Sequence, residues 1–205
     1  MSRKPWLVSL IIAINVVVFL LWQTANEARL LNLEDNFTVS WNGLAAGRYW
    51  TLLTSVFSHN VLFHVLINMF VLRSFGGLIE EVLGPWRFLK FYLAAGIMGS
   101  LAHAMVSNFY IGEPAVAAVG ASGAIAGLVL VFSLLFPKEK ILLFALIPVP
   151  ALFGALAFIG LDLWGLTAQA QGGGLPIGHG AHLGGAAMGI LYYFFYLRRF
   201  RRQWD

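Results

Sequence analysis

One hydroxyl interrupts a run of small and apolar residues at Gly120-Ala121-Ser122-Gly123-Ala124-Ile125-Ala126-Gly127-Leu128. A serine becomes a nucleophile when a neighbouring base takes its proton. The stretch His179-Gly180-Ala181-His182-Leu183-Gly184-Gly185 can supply that base. The chemistry in view is acyl transfer. Ser122 attacks a carbonyl carbon, and His182 accepts the serine proton and passes it to the leaving amine. His64 and Asn68 are four apart and share one helix face. They are expected to donate to the negative charge that builds on the carbonyl oxygen, with the Ser122 backbone N–H as a third donor. His179, one turn before His182, is the alternative base and would sit nearer solvent. No aspartate is expected as a third member. Asp162 falls at the far end of the fifth apolar run and Asp205 on the opposite side of the membrane. A Ser-His dyad oriented by packing and backbone contacts is the simpler reading.

These side chains need elements that hold them. A lone serine in an apolar helix is usually a packing residue, and its glycine flanks change that balance. Gly120 permits an unusual backbone angle or a close approach. Gly123 and Gly127 form a small-xxx-small face, and Ala181, Gly185 and Gly189 form a second one with the same spacing. Two helices meeting on those faces bring hydroxyl and imidazole within hydrogen-bond reach. His59 is expected to brace the first outer connection, and His103 lies deeper in the third span. Several histidines near one face raise the question of zinc. No HExxH stretch exists and Asn68 brings no negative charge, so neither metal nor cofactor is expected. Glu80 lies roughly 18 Å below Asn68 on a continuous helix at about 1.5 Å per residue. It is expected to bond helix ends or loop N–H groups.

The 205 residues are 60% hydrophobic and 11% charged, where a soluble domain is about a quarter charged. The mean hydropathy is +0.80. An all-α polytopic membrane protein follows, as one compact unit over 1–205. The absence of cysteine excludes disulfides and thiol chemistry. The net charge is +4, with basic residues at the ends of apolar runs. That suits anionic lipid headgroups rather than nucleic acid. The basic N-terminus followed by an apolar run resembles a signal peptide, but no small-x-small cleavage site follows. It is read as a retained first span.

Six spans fit, at about 6–22, 52–75, 88–107, 122–136, 141–161 and 182–197. The fourth is short for a crossing of about 20 residues, so its N-terminal end is expected below the outer surface. Of the thirteen Lys and Arg, all but Arg29 and Arg48 fall on one side of this arrangement. The positive-inside rule then puts both termini and the basic tail, 198–205, in the cytoplasm. The connection 23–51 lies outside, at headgroup level. The active site faces the same outer side.

Together these stretches resemble the rhomboid family of intramembrane serine proteases, in its minimal six-span bacterial form. The resemblance rests on Phe57-Ser58-His59, His64-Val65-Leu66-Ile67-Asn68, Gly76 to Gly84 with Glu80, Gly120-Ala121-Ser122-Gly123, and Ala181-His182-Leu183-Gly184-Gly185 with Gly189. It implies a six-helix bundle in a bacterial inner membrane and Ser122 as nucleophile with His182 as base. It implies His64, Asn68 and the Ser122 N–H as oxyanion donors, no cofactor, and cleavage of transmembrane protein substrates. By the same resemblance, 141–178 admits substrate. Two positions depart from the family. Trp50 is followed by Thr51 where arginine is frequent, so the brace in the first outer connection differs. Ala126 stands where Tyr or Phe often stacks on the base; either another aromatic fills that space or the dyad is held less tightly. Two other functions compete with this one. A catalytically impaired relative that binds membrane segments is disfavoured by Ser122 and His182. A small-solute transporter would show internal repeats, and none is found.

Overall fold

The computed structural model describes residues 5–143 and 146–198. Arg3, Lys4 and the basic tail beyond Arg198 lie outside them. The helices, in chain order, are α1 (Leu7–Gln23), α2 (Glu27–Phe37), α3 (Trp41–Ala45), α4 (Thr51–Thr54), α5 (Leu62–Leu83), α6 (Pro85–Val106), α7 (Ser122–Leu135), α8 (Ala151–Ala170) and α9 (His179–Tyr192). Between α7 and α8 lies a hairpin of β1 (Lys140–Leu143) and β2 (Ile147–Pro150). The pair is antiparallel, with Lys140 opposite Pro150 and Leu143 opposite Ile147.

The chain is a multi-pass membrane protein built as an all-α bundle. Among the described residues, three helices are long and apolar enough to cross a membrane: α5, α6 with its continuation to Ile111, and α8; α1 and α7 are shorter apolar helices. Phe63, Phe70, Phe153, Trp164 and Phe195 point outward and are each more than half exposed. Lipid, not water, is the solvent such surfaces suit. Helices α6, α7 and α9 pack closely at the centre. Helices α5 and α1 cover one side and α8 the other. The core runs through Leu72, Ile79, Phe88, Tyr92, Ala95, Leu128 and Val131.

Two spans begin elsewhere than hydropathy suggests. The second was expected from Leu52, but the chain breaks at Ser58–Val61 and α5 starts at Leu62. It then runs on to Leu83, because its first breaker is the pair Gly84-Pro85. Gly84 takes φ +76 and Pro85 opens α6, where its missing N–H costs nothing. The fifth span was expected at 141–161, but α8 begins at Ala151. Pro148 and Pro150 remove helix donors and clash with the preceding turn, so the apolar residues before them form the hairpin instead. This moves the whole fifth helix by about ten residues along the chain. Asp162 passes from its end to its middle.

The first connection is ordered. Asn26 caps α2 by accepting from Arg29 N, and Ser40 caps α3 by accepting from Gly43 N. Arg48 pairs with Asp35, Trp50 Nε1 donates to Asn36 and Thr54 Oγ1 donates to the Asn36 carbonyl. These contacts brace the connection in this chain.

Glu80 is buried and clamps the start of α1. Oε1 accepts from Trp6 N at 2.9 Å and Leu7 N at 3.0 Å, and Oε2 accepts from Val8 N at 3.0 Å. These are first-turn N–H groups that have no acceptor within their own helix. One carboxylate thus answers three donors and sits at the positive end of a helix dipole. Glu80→Ala should cost about 3 kcal/mol or more, since hydrogen bonds to a charged group contribute about 1.5–3 kcal/mol each. Thermal unfolding in detergent checks this; Glu80→Gln should fall between Glu80→Ala and the native chain.

Candidate active site

The loop before α7 sets the serine. Ala118 and Val39 form an isolated antiparallel bridge, and Gly120 N donates to the Ser55 carbonyl at 2.9 Å. Gly120 then takes φ +125, a conformation that L side chains rarely adopt. A Cβ there would also lie 2.6 Å from His64 Cε1. Both reasons for a glycine at this position hold. Ser122 is the first residue of α7 and is half-buried, its N–H among those without an intrahelical acceptor.

Glycines set the distance to the histidine. A Cβ on Gly185 would lie 1.8 Å from the Gly123 carbonyl oxygen. One on Gly127 would lie 2.7 Å from the Gly185 oxygen, and one on Gly189 2.7 Å from the Gly127 oxygen. Helices α7 and α9 therefore touch backbone to backbone along the two small faces. Helix α6 joins them: a Cβ on Gly99 would meet the Ala181 oxygen at 2.8 Å. That third partner was not anticipated, although Gly96, Gly99 and Ser100 mark it in the sequence.

At this contact Ser122 Oγ lies 3.0 Å from His182 Nε2. The other ring nitrogen, Nδ1, lies 3.0 Å from Asp162 Oδ1. His179 Nδ1 lies 2.7 Å from the same oxygen. Asp162, His179 and His182 are all buried. Asp162 was expected at the end of its span, away from these residues. The displaced start of α8 accounts for the difference, and Pro150 is the signal that locates it. His179 does not approach Ser122 as an alternative base; it turns toward Asp162. Gly165 makes room for it, since a Cβ there would lie 2.3 Å from His179 Nε2.

An aromatic does face the His182 ring. The Phe158 ring lies 5.3 Å from the His182 ring, centroid to centroid, at 32°. Phe158 and Ala126 line one crevice between α7 and α8. The small residue on α7 is matched by a large one on α8.

His64 and Asn68 do share a face of α5. His64 packs on Gly120, and its ring meets the His59 ring edge-on at 4.9 Å. Asn68 Nδ2 lies 3.0 Å from His59 Nε2, and Ala121 N donates to that same nitrogen at 3.5 Å. An imidazole nitrogen that accepts two N–H groups carries no proton. Burial, reinforced by the neighbouring His64, pushes His59 down to about 3 and keeps it neutral. His59 was expected to brace the first outer connection; it holds Asn68 and the serine loop instead. His103 Nε2 lies 3.2 Å from the Val116 carbonyl and supports the segment leading to Ala118.

Asp162, His179 and His182 also offer three ligand-type atoms within 4.8 Å of one another. The two Nδ1 atoms converge on one carboxylate oxygen, at 2.7 and 3.0 Å.

The comparison with known proteins agrees with this architecture. The Rhomboid domain family matches residues 46–199. The chain belongs to the rhomboid family. It is 34% identical over 203 residues to "RHOMBOID-like protein 12, mitochondrial" of Arabidopsis thaliana, covering 93% of this chain and 58% of that protein. It is 36% identical over 194 residues to "Rhomboid protein 1, mitochondrial" of Saccharomyces cerevisiae, covering 91% and 52%. It is 35% identical over 127 residues to "Rhomboid protease GluP" of Bacillus subtilis, covering 62% and 24%. This rhomboid chain thus spans about half the length of the mitochondrial relatives and a quarter of the bacterial one.

The glycine contact gives a direct test. Gly185→Ala should force α9 away from α7, lower the thermal midpoint in detergent and open the Ser122 Oγ to His182 Nε2 distance beyond 3.5 Å. A crystal structure of the variant reads that distance.

Proposed function

We propose that this rhomboid chain is an intramembrane serine endopeptidase that cleaves peptide bonds in or next to the membrane-spanning segments of other proteins. The observation that carries this reading is the 3.0 Å approach of Ser122 Oγ to His182 Nε2 across two helices. Ser122 Oγ attacks the scissile carbonyl carbon as its proton moves to His182 Nε2. The tetrahedral intermediate places a negative charge on the former carbonyl oxygen. The Ser122 N–H, the Asn68 amide and the His64 ring are the donors for it. His59 accepts one hydrogen of Asn68 Nδ2, which leaves the other to point at that charge. The intermediate collapses when His182 protonates the departing amine, leaving an ester on Ser122. Water, deprotonated by His182, then cleaves the ester and restores the hydroxyl.

The whole described chain acts as one membrane domain with six crossings: α1, α5, α6, α7, α8 and α9. Arg87, Lys90, Lys138 and Lys140 stand at the end opposite Ser122. By the positive-inside rule that end and both termini face the cytoplasm of a bacterial inner membrane, and Ser122 faces outward. The stretch 23–51, with α2 and α3, then lies on the outer side. The substrates are membrane proteins, and lipid surrounds the bundle.

Purified protein treated with a fluorophosphonate should be labelled on Ser122, and a panel of single-span reporter proteins should be cut. Ser122→Ala should abolish both. His182→Ala should lower both by at least about 1,000-fold, since loss of the base alone costs about a millionfold in a soluble serine protease. Undiminished labelling of both variants would remove the serine-protease reading.

A further inference from the structure

The Ser122–His182 reading leaves one question open: what fixes the imidazole. In the membrane a carboxylate is expensive and is retained where it has partners. Asp162 is the sole ionisable residue of α8. Its neighbours Leu161, Leu163 and Trp164 face outward, while Asp162 is 4% exposed. It is turned inward among Ala155 and Gly165, the small residues of α8's buried face. Both of its close contacts are imidazole Nδ1 atoms, of His182 at 3.0 Å and His179 at 2.7 Å.

We propose that Asp162 is a positioning residue for the general base, so that this rhomboid works with a Ser122–His182–Asp162 triad in which His179 shares the carboxylate. The inference rests on the proposed serine chemistry and deepens it. An ionised carboxylate can only accept, so the imidazole nitrogens facing it carry the hydrogens. For His182 this puts the proton on Nδ1 and leaves the Nε2 lone pair facing Ser122 Oγ. That is the tautomer a general base needs. When Nε2 takes the serine proton, the imidazolium lies against the carboxylate, which stabilises it without itself being protonated. His179 supplies a second N–H to the same oxygen. That second bond offsets the burial of a charge on a helix pair, α8 and α9, that carries no Lys or Arg.

The face of α8 is built for this. Phe158 and Asp162 are one turn apart and both touch His182, one across the ring face and one at its edge. Gly165, on the same side, admits His179. The base is therefore held in plane, orientation and tautomer from a helix that carries neither the nucleophile nor the base.

The test uses full-length protein in detergent and a fluorophosphonate as probe. Asp162→Asn should lower the maximal labelling rate of Ser122 by about 100-fold or more, with the half-saturating probe concentration within about 2-fold and the thermal midpoint retained. A side-chain amide in place of the carboxylate costs about 10,000-fold where it imposes the wrong tautomer; rotation of the amide allows a smaller loss here. Asp162→Glu should recover part of the rate. If Asp162→Asn does not fold, the native protein decides. Long-range 1H–15N correlations of the ring nitrogens should show the His182 proton on Nδ1. A proton on Nε2, or labelling within about 3-fold of native in a folded Asp162→Asn, would overturn the proposal. Labelling that needs Ser122 and His182 but ignores Asp162 would remove the triad and leave the protease reading intact. Labelling that survives Ser122→Ala would remove both.

Discussion

The separation of Ser122 from His182 is set by main chain rather than by the two side chains. In lipid, helices are not driven together by exclusion of water; packing and polar contacts must hold them. Here the closest contacts are glycine against carbonyl, with Gly185 set on the Gly123 oxygen and Gly189 on the Gly127 oxygen. No rotamer change can absorb a Cβ at such a place. The serine and the imidazole inherit that rigidity, since each sits within a turn of the contact. Helix α6 enters the same junction through Gly99, so three backbones fix one distance.

A second consequence follows from helix length. Helix α7 has 14 residues and spans about 21 Å at about 1.5 Å per residue, against a hydrocarbon core of about 30 Å. The helix cannot reach both surfaces. Irregular backbone at membrane depth survives only where protein or a water-filled cavity satisfies it. The segment before Ser122 meets that condition through the Val39–Ala118 bridge and the Gly120 N to Ser55 carbonyl bond. The order of α2 and α3, with their capped starts, is part of the same requirement, because Val39 lies between them.

Much of this was legible in the residues. Small-residue spacing marks the α7–α9 contact, and the hydrophobic runs locate α1, α6, α7 and α9 to within a few residues. Hydropathy failed where apolar sequence continues through a change of structure. Ile141 to Pro150 is as apolar as a span, yet two prolines make it a hairpin. Reading those prolines as the start signal would have put Asp162 mid-helix, where an aspartate in lipid must find a partner. Other features leave no local trace. That His59 accepts from Asn68 rather than bracing the first connection depends on how Ser58–Val61 folds back, and no spacing rule encodes it.

The two buried carboxylates show one solution in two settings. Glu80 accepts three main-chain N–H groups at the start of α1; Asp162 lies against two imidazole nitrogens. In neither case does a Lys or Arg among the described residues approach within ion-pair distance. For Glu80, main-chain donors at fixed positions stabilise the carboxylate without the desolvation of a second ion. The choice of donor separates their consequences. Main-chain donors tie Glu80 to a helix end. The imidazoles tie Asp162 to the side chain that approaches Ser122. The exchange of Ala126 for Phe158 has the same logic, for bulk missing from α7 returns from α8 at the same ring. Helix α8 therefore bears on His182 through both its polar and its aromatic contacts. It is also less enclosed by the rest of the bundle than α6. The geometry of the imidazole thus depends on how the more loosely held helix is seated, and a site that looks confined to α7 and α9 extends across the bundle.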